Sequence, residues 1–269
     1  MAKFAVIQMC ACSNVGINLF VLKKYIEQAK IEGADIVVLP DYAFLLSDDS
    51  KNHALNRELL GEGRIQKALS QWALNNQIWI IASGIPILAM ENGKQYYSAT
   101  LVYNHQGEMV THYYHIHRTA PNGYGGLLKE DSALAMGNKA VMVDTPYGRI
   151  GLLASADIFD GSLCGYINVQ GADFFAYSAF VPSHQGAEWW WSMLKARAIE
   201  YQMPILCANQ SGFHEDIGEM SHGNSMILDS DGRILASHPL GEAVLIAEVH
   251  VKKRQMTYLS SPFTIQYRG

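Results

Sequence analysis

The sequence predicts one layered α/β domain spanning residues 1–269. Three observations carry that expectation. Strand-like apolar runs alternate with stretches of helical periodicity. Hairpin turn signals add antiparallel pairs to the strand–helix–strand units, and no repeat, low-complexity tract or break in composition divides the chain. At roughly 150 residues per domain the length would suggest two, but layered sheet domains often reach this size.

The elements follow in order. Lys3–Met9 (KFAVIQM) is β-rich and apolar. After Asn14, Leu19, Leu22, Tyr25, Ile26 and Ala29 share one helical face, and Gly33 stops the helix. Asp35–Leu39 is a continuous apolar strand closed by Pro40, which makes the first strand–helix–strand a right-handed crossover and puts Asp41 at a strand's C-terminal end. A helix from about Glu62 to Asn75 leads into Trp79–Ala82. Tyr97–Tyr103 and Met109–His117 then read as strands joined by the turn Asn104–Gly107. Residues 118–138 are Gly-rich and irregular, as binding or lid segments are. Val141–Asp144 and Arg149–Ala154 flank the turn Thr145–Gly148. The second of these strands runs into Ser155-Ala156-Asp157, ahead of a helical stretch ending near Gly171. Strand Asp173–Tyr177, helix Glu188–Gln202, strand Pro204–Ala208, a hairpin of Met226–Leu228 with Arg233–Ala236, and strand Val244–Val249 complete the set. The tail, with Tyr258, Phe263 and Tyr267, is expected to pack on a partner subunit or on its own core.

Composition excludes several classes. With 20 Lys+Arg against 25 Asp+Glu, a net charge of −5, 17% charged and 49% hydrophobic residues, the chain is neither disordered nor basic. A pI near 6.0 gives no footprint for a phosphate backbone, so no nucleic acid partner is expected. No apolar run reaches the roughly 18 residues that span a bilayer. Met1-Ala2-Lys3-Phe4 enters a strand without a signal-peptide layout, so no membrane association and a cytoplasmic location are expected. Cys10, Cys12, Cys164 and Cys207 are too scattered for a disulfide framework. Cys10 and Cys12 lack the second pair of a zinc site and read as small core-strand residues, and no metal or cofactor is expected.

Three side chains able to do chemistry stand in order: Asp41 after IVVLP, His115 within HYYHIH, and Ser155 after IGLLA. Acid, imidazole and hydroxyl are the parts of an activated oxygen nucleophile once a fold brings them together. His115 and His117 also share one side of a strand and, with Asp41 or Asp157, offer a zinc set; two histidines on a β-run are more often structural. Trp189-Trp190-Trp191 cannot all face one way, so at least one indole points into a pocket or an interface. Tyr124 and Tyr177 read as pocket walls or ordinary packing, and Arg197 with Glu200 as a structural pair.

The sequence resembles the nitrilase, or carbon–nitrogen hydrolase, superfamily over nearly its whole length. ADIVVLPDY is similar to the strand that ends in that family's catalytic Glu, and HYYHIH to its segment with a catalytic Lys two residues before a His. TPYGRIGLLASAD is similar to the strand that delivers its catalytic Cys. Gly171-Ala-Asp173, Lys195–Glu200, Ala208–Gly212 and Gly223–Ser225 through Asp229 and Gly232 add matches in the family's order. The resemblance implies a four-layer αββα sandwich, a homodimer or larger homo-oligomer, a small-molecule substrate or ligand, and a Glu-Lys-Cys triad replaced here by Asp41, His115 and Ser155.

It also implies a second carboxylate at Glu130, while Phe159–Ser162 departs from the family's usual sequence after its Cys. Ser for Cys trades a thiol for a hydroxyl that ionises far less readily and needs a strong base. Each exchange nevertheless keeps its chemical class. The expected roles are Ser155 as nucleophile, His115 as general base, Asp41 as orienting carboxylate and Glu130 as a substrate-positioning acid. Ala156 offers an oxyanion N–H, and Tyr114, Asp157, Tyr177 and Trp189 are the expected substrate contacts. The competing readings are an inactive homologue that binds a metabolite or a partner, a scaffold reused for lyase, cyclase or acyl-transfer chemistry, and a Ser155 that replaces a native Cys.

Overall fold

The protein is described here by a computed structural model covering residues 2–89, 95–117 and 132–250. Glu130, Tyr124 and the tail tyrosines therefore lie outside the described residues.

Strand β1 (Ala2–Gln8) leads through α1 (Val15–Ile31) to β2 (Ile36–Val38). Asn14 caps α1 by accepting from the backbone N–H groups of Gly16 and Ile17. Two helices, α2 (Ser50–Leu55) and α3 (Arg64–Asn76), precede β3 (Trp79–Leu88), β4 (Tyr96–Tyr103), β5 (Met109–Tyr114) and the short β6 (Leu134–Ala135). The second half opens with β7 (Met142–Thr145) and β8 (Gly148–Ala154), which runs into a 3-10 helix at Ser155–Phe159. It continues through α4 (Gly161–Val169), β9 (Phe174–Ala179), α5 (Ser183–Tyr201) and β10 (Ile205–Asn209). A hairpin of β11 (Ser211–His214) and β12 (Glu219–His222), then β13 (Ser225–Leu228), β14 (Ile234–His238) and β15 (Ala243–Val249) close the fold.

The strands form two large sheets, ordered β15-β1-β2-β3-β4-β5 with β6 beside β4, and β14-β13-β10-β9-β8-β7. Each has a parallel centre, β1-β2-β3 in one and β8-β9-β10 in the other, flanked by antiparallel pairs. Parallel strands need crossovers whose helices cover the sheet, and both faces of a parallel centre must be buried. Phe4, Val6, Ile36 and Val38 of the first sheet meet Ile150, Leu152, Phe174 and Leu206 of the second in a core between the sheets. The alternate residues turn outward. Ala5, Ile7 and Val37 pack under α1 and α3, while Leu153, Phe175 and Ile205 pack under α4 and α5. The layers are thus helix, sheet, sheet, helix, the αββα sandwich that the resemblance implies.

Several boundaries differ from the expectation. α2 was not foreseen, being too short for periodicity to register, and neither was the β11–β12 hairpin. α5 starts at Ser183, before Glu188, and β3 runs past Ala82 to Leu88 across a register shift between Ala82 and Ile85. Cys10 and Cys12 are not core-strand residues: they follow β1 and are half-buried. No helix among the described residues is long and apolar enough to cross a membrane.

Candidate active site

The carboxyl ends of the central strands β2 and β8 converge between the sheets, which places Asp41 and Ser155 in one region. Across the layers, the Asp41 N–H donates to the Ala179 carbonyl (3.2 Å), and Ser178 Oγ donates to the Leu39 carbonyl (2.7 Å). These bonds tie the end of β2 to the end of β9, the neighbour of β8. Asp41 is fully buried and accepts at Oδ1 from Ser83 Oγ (3.1 Å) and from the Tyr42 N–H (3.1 Å). Its Oδ2 has no hydrogen-bond partner among the described residues. Burial pushes this carboxyl above its ordinary range, against the opposing pull of His115, Ser83 and the Tyr42 amide.

His115, just past β5, is buried and turns Nε2 toward Ser83 Oγ (3.2 Å) and Thr100 Oγ1 (3.1 Å). No hydrogen bond joins it to Asp41 directly, so the expected orienting contact from Asp41 is replaced by one that runs through Ser83. The register shift in β3 is what delivers Ser83. A bulge re-aims a side chain, and its Gly84, at φ +77°, lies so close to the Asp41–Tyr42 turn that a Cβ there would sit 2.2 Å from Tyr42 N and 2.8 Å from Asp41 Oδ1.

Ser155 adopts φ +51°, the left-handed region, where β8 turns into the 3-10 helix. Gln77 and Gln202 share that conformation as ordinary helix caps. Ser155 and Tyr42 (φ +57°) instead hold it where the chain leaves β8 and where it turns after Asp41, at a cost of roughly 1–2 kcal/mol each. Ala156 is the first residue after this strand-to-helix turn. Ala156 itself is buried.

Four of the expected substrate contacts have partners within the protein. Asp157 is fully buried and its carboxylate is occupied: Oδ2 accepts from Tyr113 Oη (2.6 Å) and the Ala154 N–H (2.9 Å), and Oδ1 from the His117 N–H and Nδ1 (both 3.0 Å). It clamps β5 to the Ser155 turn. Tyr114 lies on the opposite face of its strand from Tyr113 and His115 and stacks on Tyr97 (4.1 Å between ring centroids). Tyr177 is buried under α5 and donates its hydroxyl to the Ser155 carbonyl (2.7 Å), so it braces the turn. Trp189 packs on Phe159 (4.7 Å) and Trp190 (5.6 Å). Trp190 is the fully buried indole and donates Nε1 to the Asn224 carbonyl. Arg197 pairs with Glu200 (2.8 Å) and also donates to the Ile158 and Phe159 carbonyls at the far end of the 3-10 helix. His117 and His115 thus have different partners.

The sequence profile described as carbon–nitrogen hydrolase matches residues 3–258. This chain belongs to the carbon–nitrogen hydrolase family. A deaminated glutathione amidase of Synechocystis sp. is 30% identical over 269 residues, covering 98% of this chain and 97% of its own. The enzyme of the same name from Yersinia enterocolitica is 28% identical, covering 93% and 87%. An amidase from Nesterenkonia sp. AN1, solved after Michael addition of acrylamide at its active site cysteine, superposes with a TM-score of 0.77 at 18% identity and 92% and 93% coverage. That last likeness bears on the fold. Within this family member, Ser83 and Thr100 are the residues of the cluster that sequence reasoning missed.

Proposed function

We propose that this carbon–nitrogen hydrolase cleaves a small amide through Ser155, with His115 as general base and Asp41 as the carboxylate that supports the imidazolium. The observation that carries the reading is Ser155 held in the left-handed conformation at a strand-to-helix turn, together with a buried acid–imidazole cluster, tied to the end of the neighbouring β9, in which Asp41 Oδ2 has no hydrogen-bond partner among the described residues. Strain of that kind gathers at working sites. In the proposed reaction Ser155 Oγ attacks the amide carbon, and its proton passes to His115 and then to the departing amine as the C–N bond breaks. Water, deprotonated by the same imidazole, then releases the carboxylate and regenerates the serine. The Ala156 N–H stabilises the oxyanion, and Glu130 positions the substrate. The names of the amidase relatives support an amide as substrate and make deaminated glutathione one candidate.

The protein is further proposed to work as a homodimer or larger homo-oligomer, in line with the exposed apolar Tyr166 and Val169 on α4 and Ile199 on α5. A second reading, a non-catalytic homologue that binds a metabolite, is favoured by one feature: serine stands where the resemblance implies a cysteine. Release of amine from a panel of small amides including deaminated glutathione decides between them. Turnover that Ser155→Ala abolishes supports the hydrolase, whereas saturable binding without amine release supports the second reading.

A further inference from the structure

Ser83 and Thr100 complete a closed hydrogen-bond count around His115. Ser83 Oγ lies 3.1 Å from Asp41 Oδ1, 3.2 Å from His115 Nε2 and 3.1 Å from Thr100 Oγ1, and Thr100 Oγ1 lies 3.1 Å from the same Nε2. All four side chains are buried. A hydroxyl has one proton to give and two lone pairs to receive with, and a carboxylate only receives. The Ser83 proton therefore goes to Asp41. The Thr100 proton goes to Ser83, since no proton of Ser83 remains for that contact. Neither hydroxyl then has a proton left for His115, so the 3.1 and 3.2 Å contacts are hydrogen bonds only when Nε2 is the donor. Ser83 Oγ is then fully used, donating once and accepting from Thr100 and from His115.

We propose that Ser83 and Thr100 are positioning residues that hold the proton of neutral His115 on Nε2 and leave Nδ1 as the ring's basic atom. This rests on the reading of His115 as the general base and specifies which of its nitrogens works. The same chain couples the base to Asp41. When Nδ1 takes a proton, the ring becomes an imidazolium whose Nε2–H still donates to Ser83 Oγ while Ser83 still donates to Asp41 Oδ1, so the carboxylate supports the charged ring through the shared hydroxyl. The titratable groups facing the cluster are Asp41 after β2, Tyr113 on β5, Asp157 in the 3-10 helix and Tyr177 on β9. Tyr113 gives its hydroxyl to Asp157 and Tyr177 to the Ser155 carbonyl, so neither competes for Nε2.

The test is the tautomer itself, read from the ring ¹⁵N shifts and N–H couplings of His115 in the full-length protein labelled at histidine, with His115→Gln to assign the signals. The wild type is expected to show a protonated Nε2 and a pyridine-like Nδ1. Thr100→Ser, which keeps the hydroxyl, should preserve that pattern, and Ser83→Ala/Thr100→Val should lose it. In steady-state assays Ser83→Ala should lower kcat on the order of 10- to 100-fold with KM within about 2-fold. That is less than the ~10⁴ of an inverted tautomer in a Ser-His-Asp site, because Thr100 still accepts from Nε2. A wild-type ring protonated on Nδ1 overturns the proposal, as does an Nε2–H that survives the double substitution. Should no amide be turned over while the tautomer is as stated, the reading of His115 as a base fails and the assignment of the proton stands.

Discussion

Asp157→Asn separates a structural clamp from a substrate contact. The wild-type carboxylate accepts four hydrogen bonds from three segments, none from solvent: Tyr113 on β5, His117 beyond it, and Ala154 at the end of β8. An asparagine keeps one oxygen, able to serve one pair of these donors, and turns an NH₂ group toward the other pair. About two charge-assisted bonds are lost, each worth roughly 1.5–3 kcal/mol, so the expected destabilisation is about 3–6 kcal/mol. That is a large part of the ~5–15 kcal/mol that holds a typical domain together. Urea unfolding followed by fluorescence at neutral pH gives the number directly. At low temperature, where the variant stays folded, KM should remain near the wild-type value. A loss of less than about 1 kcal/mol accompanied by a large rise in KM would refute the reasoning and return Asp157 to the substrate pocket.

Three further outcomes are expected. Gly84→Ala places a Cβ 2.2 Å from Tyr42 N at a positive φ, so it should cost about 2–5 kcal/mol of stability in the same urea measurement and reduce activity by displacing Asp41. Ser155→Gly should abolish turnover yet leave stability unchanged or raise it by up to about 1 kcal/mol, since glycine takes φ +51° without strain; calorimetry reads the sign. The Asp157 carboxylate that accepts from His117 holds this imidazole above its ordinary value of about 6.5. Because the folded value is the higher one, that stabilisation is fully present below about pH 6.5 and is lost as pH rises through the raised folded value. The urea midpoints of wild type and His117→Asn should therefore converge as pH rises from about 6 to about 9.

Much of the fold was legible because its strands are buried on both faces. Continuous apolar runs such as Asp35–Leu39 and Arg149–Ala154 have few other readings, and their ends mark Asp41 and Ser155. His115 followed from its segment. Ser83 did not, because the strand was read only as far as Ala82, where the register shift begins. In a sequence, a serine and a glycine after an apolar run resemble an ending, whereas in the fold they form a bulge that aims a hydroxyl at Asp41. Alternation along the strand already puts Tyr114 on the opposite face from His115, where it stacks on Tyr97. Asp157 was less accessible: its donors come from positions 113, 117 and 154, and no local pattern records such a meeting. Tyr177 followed the same course, its hydroxyl bound to a main-chain atom 22 positions away.

The central claim is that Ser155 is a working nucleophile, and its most direct test is the intact mass of the protein after exposure to a fluorophosphonate and to small activated esters, beside Ser155→Ala and Ser155→Cys. The account predicts one adduct on the wild type, carried by the peptide that contains Ser155, absent from Ser155→Ala and lost from the otherwise native protein in His115→Ala. An unlabelled wild type beside a readily acylated Ser155→Cys would contradict it, leaving a binding site whose serine does no chemistry.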